Sequence, residues 1–157
     1  MTAKLLTSHA IDSVLGSIES NRLGDSADGA KHVELSDELK VFLVEAYENI
    51  DTVEQSLVDL ERAPGETEVL HAIFRAIHSM KGNAGFLGLG SLETICHRAE
   101  AILDRARKGT PLTSDQTTGL LGGVDCIRTL LKTVESTGSD AAVDVTPTLT
   151  ELNSLLE

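Results

Sequence analysis

Over residues 36–135 the apolar positions recur at helical spacing in four successive stretches, separated by short breaks rich in glycine or proline. In the first stretch Leu39, Leu43, Ala46, Ile50, Val53, Leu57 and Leu60 follow in alternating steps of four and three. That spacing predicts a helix of about six turns with one continuous seam. Ser36 offers a capping hydroxyl, Asp37 and Glu38 place acids where the helix dipole favours them, and Ala63-Pro64-Gly65 ends the run. The second stretch opens near Glu66, buries Leu70, Ile73, Phe74, Ile77 and Ala84, and breaks at Gly88-Leu89-Gly90. Ser91 is the expected cap of the third, which turns Leu92, Ile95, Ala99, Ile102, Leu103 and Ala106 inward. Arg105, Arg107 and Lys108 suit its C-terminal end, and Gly109 and Pro111 stop it. The fourth opens near Thr113 or Ser114 and carries Leu120, Val124, Ile127, Leu131 and Val134 as far as Ser136-Thr137-Gly138. Gly119, Gly122 and Gly123 either weaken its first half or permit a close helix approach there.

Two further segments flank these four. Thr146-Pro147 predicts the start of a last short helix with Leu149, Leu152 and Leu156 apolar. Near the N-terminus, Ile11, Val14, Leu15 and Ile18 predict a short amphipathic helix within residues 5–19, followed by a polar, glycine-containing linker. No alternating strand pattern of useful length occurs. The expected fold is all-α: an antiparallel up-down four-helix bundle at 36–135, an N-terminal extension at 1–35, and a linker plus short helix at 136–157.

Composition narrows the function classes. At 157 residues the chain is one domain with tails. Aromatics make up only 3% of a sequence that is 41% hydrophobic, so the core is aliphatic. A net charge of -12 argues against a nucleic-acid surface and against attachment to an anionic membrane. No apolar run approaches the roughly 20 residues of a membrane span, and the N-terminus lacks the apolar region of a secretory signal. Cys96 and Cys126 are isolated within helical patterns, and we expect two reduced, partly buried thiols in a cytoplasmic protein.

The chemistry concentrates between Ala72 and Gly90. His71, Arg75, His78, Gly82 and Gly85 form a second stripe, beside the apolar one, in steps of four, three, four and three. His78 thus stands on the wet flank of its helix, and the positions one and two turns later lack side chains. Each interior glycine costs a helix roughly 1 kcal/mol against alanine, so stability does not ask for them. Access to the imidazole by another macromolecule would.

With the second and third helices paired as a hairpin about Leu89, residues equidistant from it lie level. His78 and Glu100 each stand eleven residues away, and Lys81 and His97 each stand eight away. Glu93, His97, Glu100 and Asp104 share a polar stripe, so a carboxylate faces the histidine wherever the two flanks point toward each other. That combination suits phosphoryl transfer through histidine. One ring nitrogen attacks phosphorus, a carboxylate accepting from the other N–H fixes the tautomer, and a nearby ammonium offsets phosphoryl charge. His78, Glu100 and Lys81 fit the three parts.

The run His78-Ser79-Met80-Lys81-Gly82, then Asn83-Ala84-Gly85 and a phenylalanine, resembles the HSxKGxAxxxG motif of histidine phosphotransfer (HPt) domains. Leu92 to Glu100, with His97 and Glu100 at the motif positions, resembles the LxxxxHxxE segment of the HPt domain of CheA-type chemotaxis kinases. The resemblance covers about residues 36–135. It implies that His78 is phosphorylated, that Lys81 and Gly82 flank the phosphate, and that His97 and Glu100 complete the hydrogen-bond network. It implies as partners a histidine kinase catalytic domain, which supplies ATP and Mg²⁺, and a response-regulator receiver domain. His71, Arg75, Ser79, Gly82 and Gly85 would form the surface those partners meet. No glycine-rich nucleotide loop or kinase box follows, so the chain is expected to be either part of a CheA-like kinase or a free-standing phosphorelay shuttle, and it binds no cofactor of its own.

Two other classes fit the sequence less well. Glu68-x-x-His71 has the form used by di-iron bundles, but the second copy is missing, because Thr94 stands three before His97. No metal site is expected. A helical interaction bundle without chemistry would leave the glycines at 82 and 85 unexplained.

Overall fold

Ser36 begins the first helix as its sequence requires, its hydroxyl accepting from the Leu39 N–H at 3.2 Å. The computed structural model describes residues 33–157, so the helix expected within 5–19 and the linker after it lie outside the described residues. Five helices follow in chain order: α1 (Asp37–Arg62), α2 (Thr67–Phe86), α3 (Gly90–Arg107), α4 (Ser114–Thr137) and α5 (Thr146–Ser154). No strand occurs among the described residues.

Helices α1 to α4 close a ring in which each packs on its two sequence neighbours and α4 returns to α1; α2 and α3 share the most extensive interface. Short turns between long amphipathic helices leave antiparallel packing as the economical arrangement. The predicted seams of α1, α3 and α4 are buried throughout, with Leu43, Ile50, Leu92, Ile102 and Leu131 fully so. Each such side chain contributes roughly 1.5–3 kcal/mol on leaving water. Phe42, Tyr47 and Met80 join the core as well. Tyr47 belongs to both core and rim, because its hydroxyl donates to Glu135 on α4 at 2.9 Å. Arg128 on α4 pairs with Asp51 at 2.7 Å and also with Glu54, so polar ties as well as apolar packing hold α1 to α4.

Two expectations need correcting. Phe74 is only half-buried and lies at the edge of the core. Four residues before His78, it sits on the flank that carries the histidine, not on the seam of Ile73 and Ile77. Ser91 does not cap α3, which already begins at Gly90. The free N–H of Leu92 is met from 48 residues away by Asp140, whose carboxylate accepts at 2.9 Å while 5% exposed. A buried acid at a helix N-terminus meets both an orphan donor and the positive end of the dipole.

The α2–α3 turn sets the register of the site. Gly88, at φ 73°, takes a left-handed conformation that a side chain would strain. Its N–H donates to Gly85 O at 3.2 Å, and Leu89 N–H donates to Ala84 O at 2.9 Å. This is a Schellman ending, completed by the burial of Leu89.

The glycines of α4 make room for α5. A Cβ on Gly119 would lie 2.2 Å from Leu155 Cδ1, and one on Gly123 would touch Leu152. Close helix approach, the second of the two readings, accounts for them. Among the described residues no helix is long and apolar enough to cross a membrane.

Candidate functional site

His78 lies midway along the exposed flank of α2, its side chain 60% exposed. Its Nδ1 is 2.9 Å from Glu100 Oε2 on α3, so the two residues equidistant from Leu89 do meet. Lys81, one turn further along α2, brings Nζ to 2.9 Å from each oxygen of the same carboxylate. Glu100 is only 16% exposed, which disfavours its charge, but hydrogen bonds from Lys81 and then His78 outweigh burial and hold its carboxyl below the usual range. It is therefore ionised near neutral pH and can only accept.

That settles the tautomer of the neutral ring. Nδ1 carries the proton and donates to Glu100, leaving the Nε2 lone pair unprotonated. A solvent-facing imidazole in this state is a nucleophile with its second nitrogen held. Lys81 supplies an ammonium one turn away. The other nearby candidate for nucleophilic chemistry is inert. Burial pushes the Cys96 thiol up to about 12, and the charge of Glu100 adds to the shift.

The remaining predicted residues divide. Arg75 and Ser79 are exposed on α2 around His78, and His71 is half-buried one turn before Arg75. A Cβ on Gly82 would meet nothing within 4 Å, so packing inside this chain does not require glycine there. Gly85 has an internal reason, since a Cβ there would lie 3.0 Å from the Glu93 carboxylate packed over it from α3. His97 is exposed and makes no hydrogen bond to His78, Lys81 or Glu100. It stands one turn from Glu100, and the long Lys81 side chain reaches past its level partner to that carboxylate.

Sequence reasoning missed the stacking beside the histidine. The Phe74 ring lies 11° from parallel to the His78 imidazole, centroid to centroid 5.9 Å. The Arg107 guanidinium carbon sits 3.8 Å from the Phe74 centroid. An aromatic four residues before a histidine on one helix was the available signal. A separate cleft, floored by Leu60, Leu70, Ala106 and Leu112, opens where the α1–α2 and α3–α4 turns meet, and His78 is not part of it.

An antiparallel helical bundle that presents an accessible histidine whose inner ring nitrogen is held by a carboxylate from the neighbouring helix defines a class of phosphotransfer fold. The Hpt domain family matches residues 37–137, and the chain belongs to that family. Sensor histidine kinase CheAY of Helicobacter pylori is 40% identical over 108 residues, which are 68% of this chain and 13% of that protein. The solution structure of the histidine phosphotransfer domain of CheA superposes with a TM-score of 0.69 at 32% identity, covering 77% of this chain and 92% of that one. The fold is also that of the phosphorylated P1 domain of CheA3 in its crystal structure with CheY6 from R. sphaeroides, with a TM-score of 0.68 at 24% identity over 76% of this chain and 93% of that one. The chain spans between 11% and 19% of the length of the CheA-type relatives it matches.

Proposed function

We propose that this chain is the phosphotransfer module of a CheA-like chemotaxis kinase, working in the cytoplasm, and that His78 is its phosphoryl carrier. Nε2 of His78 attacks the γ-phosphorus of ATP bound with Mg²⁺ on a kinase catalytic domain. A P–N bond forms, the P–O bond to ADP breaks, and ADP leaves with the electron pair. Nδ1 keeps its proton throughout, and Glu100 stabilises the positive charge the ring acquires. In the second step an aspartate oxygen of a receiver domain attacks the same phosphorus. The N–P bond breaks, and its electron pair returns to Nε2. Lys81 offsets phosphoryl charge in both steps.

The observation that carries this reading is the His78 Nδ1–Glu100 contact of 2.9 Å on a ring whose side chain is 60% exposed. It makes Nε2 both nucleophilic and reachable by a macromolecule. Membership of the Hpt family supports the chemistry, and the CheA-type relatives support the kinase context. The R. sphaeroides complex with CheY6 supports a receiver as the second partner.

The test is incubation with a CheA-type kinase catalytic domain, ATP and Mg²⁺. The expected product is an acid-labile, base-stable phosphate on the wild-type chain and none on His78→Gln. A phosphate that survives His78→Gln sinks the assignment.

A further inference from the structure

The His78 ring turns about its Cα–Cβ and Cβ–Cγ bonds, and a hydrogen bond at Nδ1 tolerates a range of angles. The Nδ1 contact to Glu100 therefore fixes which nitrogen carries the proton more tightly than it fixes the direction in which Nε2 faces. Among the described residues, the ring stacked against His78 is Phe74, four residues earlier on α2, nearly parallel at 11° and 5.9 Å.

Phe74 is itself held. The Arg107 guanidinium lies 3.8 Å from its centroid, and Arg107 donates to Asp104 at 2.8 Å. Asp104 also accepts Lys108 at 2.7 Å, so the acid that anchors the arginine is doubly tied at the C-terminal end of α3. The placement follows from register. Glu100, Asp104 and Arg107 fall in steps of four and three on one face of α3, as Phe74 and His78 do in a step of four on α2. Phe74 and Asp104 each stand fifteen residues from Leu89, one level down from the His78–Glu100 pair.

We propose that Phe74, braced by Arg107, is the positioning residue that sets the plane of the His78 ring and so aims Nε2. This rests on the reading of His78 as the phosphoryl acceptor. Phe74, in contact with both Arg107 and His78, limits ring rotation, while Glu100 sets the tautomer. Both controls come from one face of α3. Neither Phe74 nor Arg107 touches the transferred group.

The experiment uses the full chain with a CheA-type kinase catalytic domain, ATP and Mg²⁺, measuring kcat and KM for the chain as substrate. Phe74→Leu keeps an apolar side chain at the core edge and removes the ring. Phe74→Tyr keeps the ring. Arg107→Gln removes the brace from a partly exposed position and does not depend on Phe74 variants folding. Phe74→Leu is expected to lower kcat five- to tenfold with KM within twofold of wild type, and Phe74→Tyr to restore kcat to within twofold. Arg107→Gln is expected to lower kcat two- to threefold. Carbon-13 relaxation of the His78 ring should report a more mobile imidazole in Phe74→Leu and Arg107→Gln. An unchanged kcat and ring mobility in both variants overturns the proposal. So does a rise in KM alone, which would make Phe74 a partner contact. If the wild-type chain acquires no phosphohistidine at all, the acceptor assignment has failed, and the ring relaxation still decides whether the stack orients His78.

Discussion

Replacing Glu100 with glutamine keeps the size and shape of the side chain and removes its charge. Two consequences can be worked from the geometry. Hydrogen bonds to charged groups contribute about 1.5–3 kcal/mol, and an amide oxygen can still accept from Nδ1 with roughly half that strength. Water competes for a ring whose side chain is 60% exposed, so the lower end of the range applies. Half of the lower figure, a loss of about 0.8 kcal/mol in the transition state, is a roughly fourfold fall in the rate of phosphohistidine formation. Stability should fall less. The Lys81–Glu100 pair is 24% and 16% exposed, between surface pairs and buried ones, and its loss costs about 1 kcal/mol. The pH dependence separates this charge effect from a packing effect. Because the folded state holds the Glu100 carboxyl below its usual range, its contribution is complete above the unfolded value of about 4.3 and is lost as pH falls through the folded one. Urea unfolding should therefore show wild type above Glu100→Gln at pH 7, with the gap closing below about pH 4. A variant phosphorylated at the wild-type rate, or a stability gap that persists unchanged to pH 3, would refute the reasoning.

Two further substitutions test other parts of the molecule. Gly82→Leu enters open space on a helix, so thermal unfolding should rise by the equivalent of about 0.5–1 kcal/mol while phosphorylation by the kinase domain drops sharply. Undiminished transfer would show that access across Gly82 is not needed. Asp140→Ala leaves the Leu92 N–H buried without its acceptor and should cost about 1–2 kcal/mol by chemical denaturation, with no change in phosphorylation rate per folded molecule. A cost within error of zero would mean that water replaces the carboxylate there.

How much of this was legible in the sequence depends on the range of the interaction. The seams of α1, α3 and α4 are periodic over many turns, and periodicity is a local signal, so those faces could be read outright. The meeting of His78 with Glu100 was legible as a level, because one turn and two regular helices fix heights by counting. Directions are harder. Height pairs Lys81 with His97, yet its flexible stem carries the ammonium to Glu100. Periodicity places Phe74 in the core because hydrophobicity cannot distinguish a seam from its edge, and at that edge it stacks on the histidine. The cap of α3 was invisible for another reason. Ser91 is a sound local signal, but the group that meets the free N–H is Asp140, which the chain returns only after a whole further helix. The glycines of α4 made sense only once Leu152 and Leu155 of the C-terminal segment were seen against them.

The turn at Gly88 and Leu89 carries a cost that surface loops usually escape. Lengthening a loop is cheap for stability, since each doubling adds only about 0.6 kcal/mol of closure entropy. Here every residue inserted or deleted turns α3 by about 100° and slides it about 1.5 Å relative to α2. The one apolar seam of α3 would turn out of the core with it, and Glu100 would leave His78 in the same step. Length in this hairpin is therefore held by the fold and by the reactive pair together, where an ordinary surface loop is held by neither.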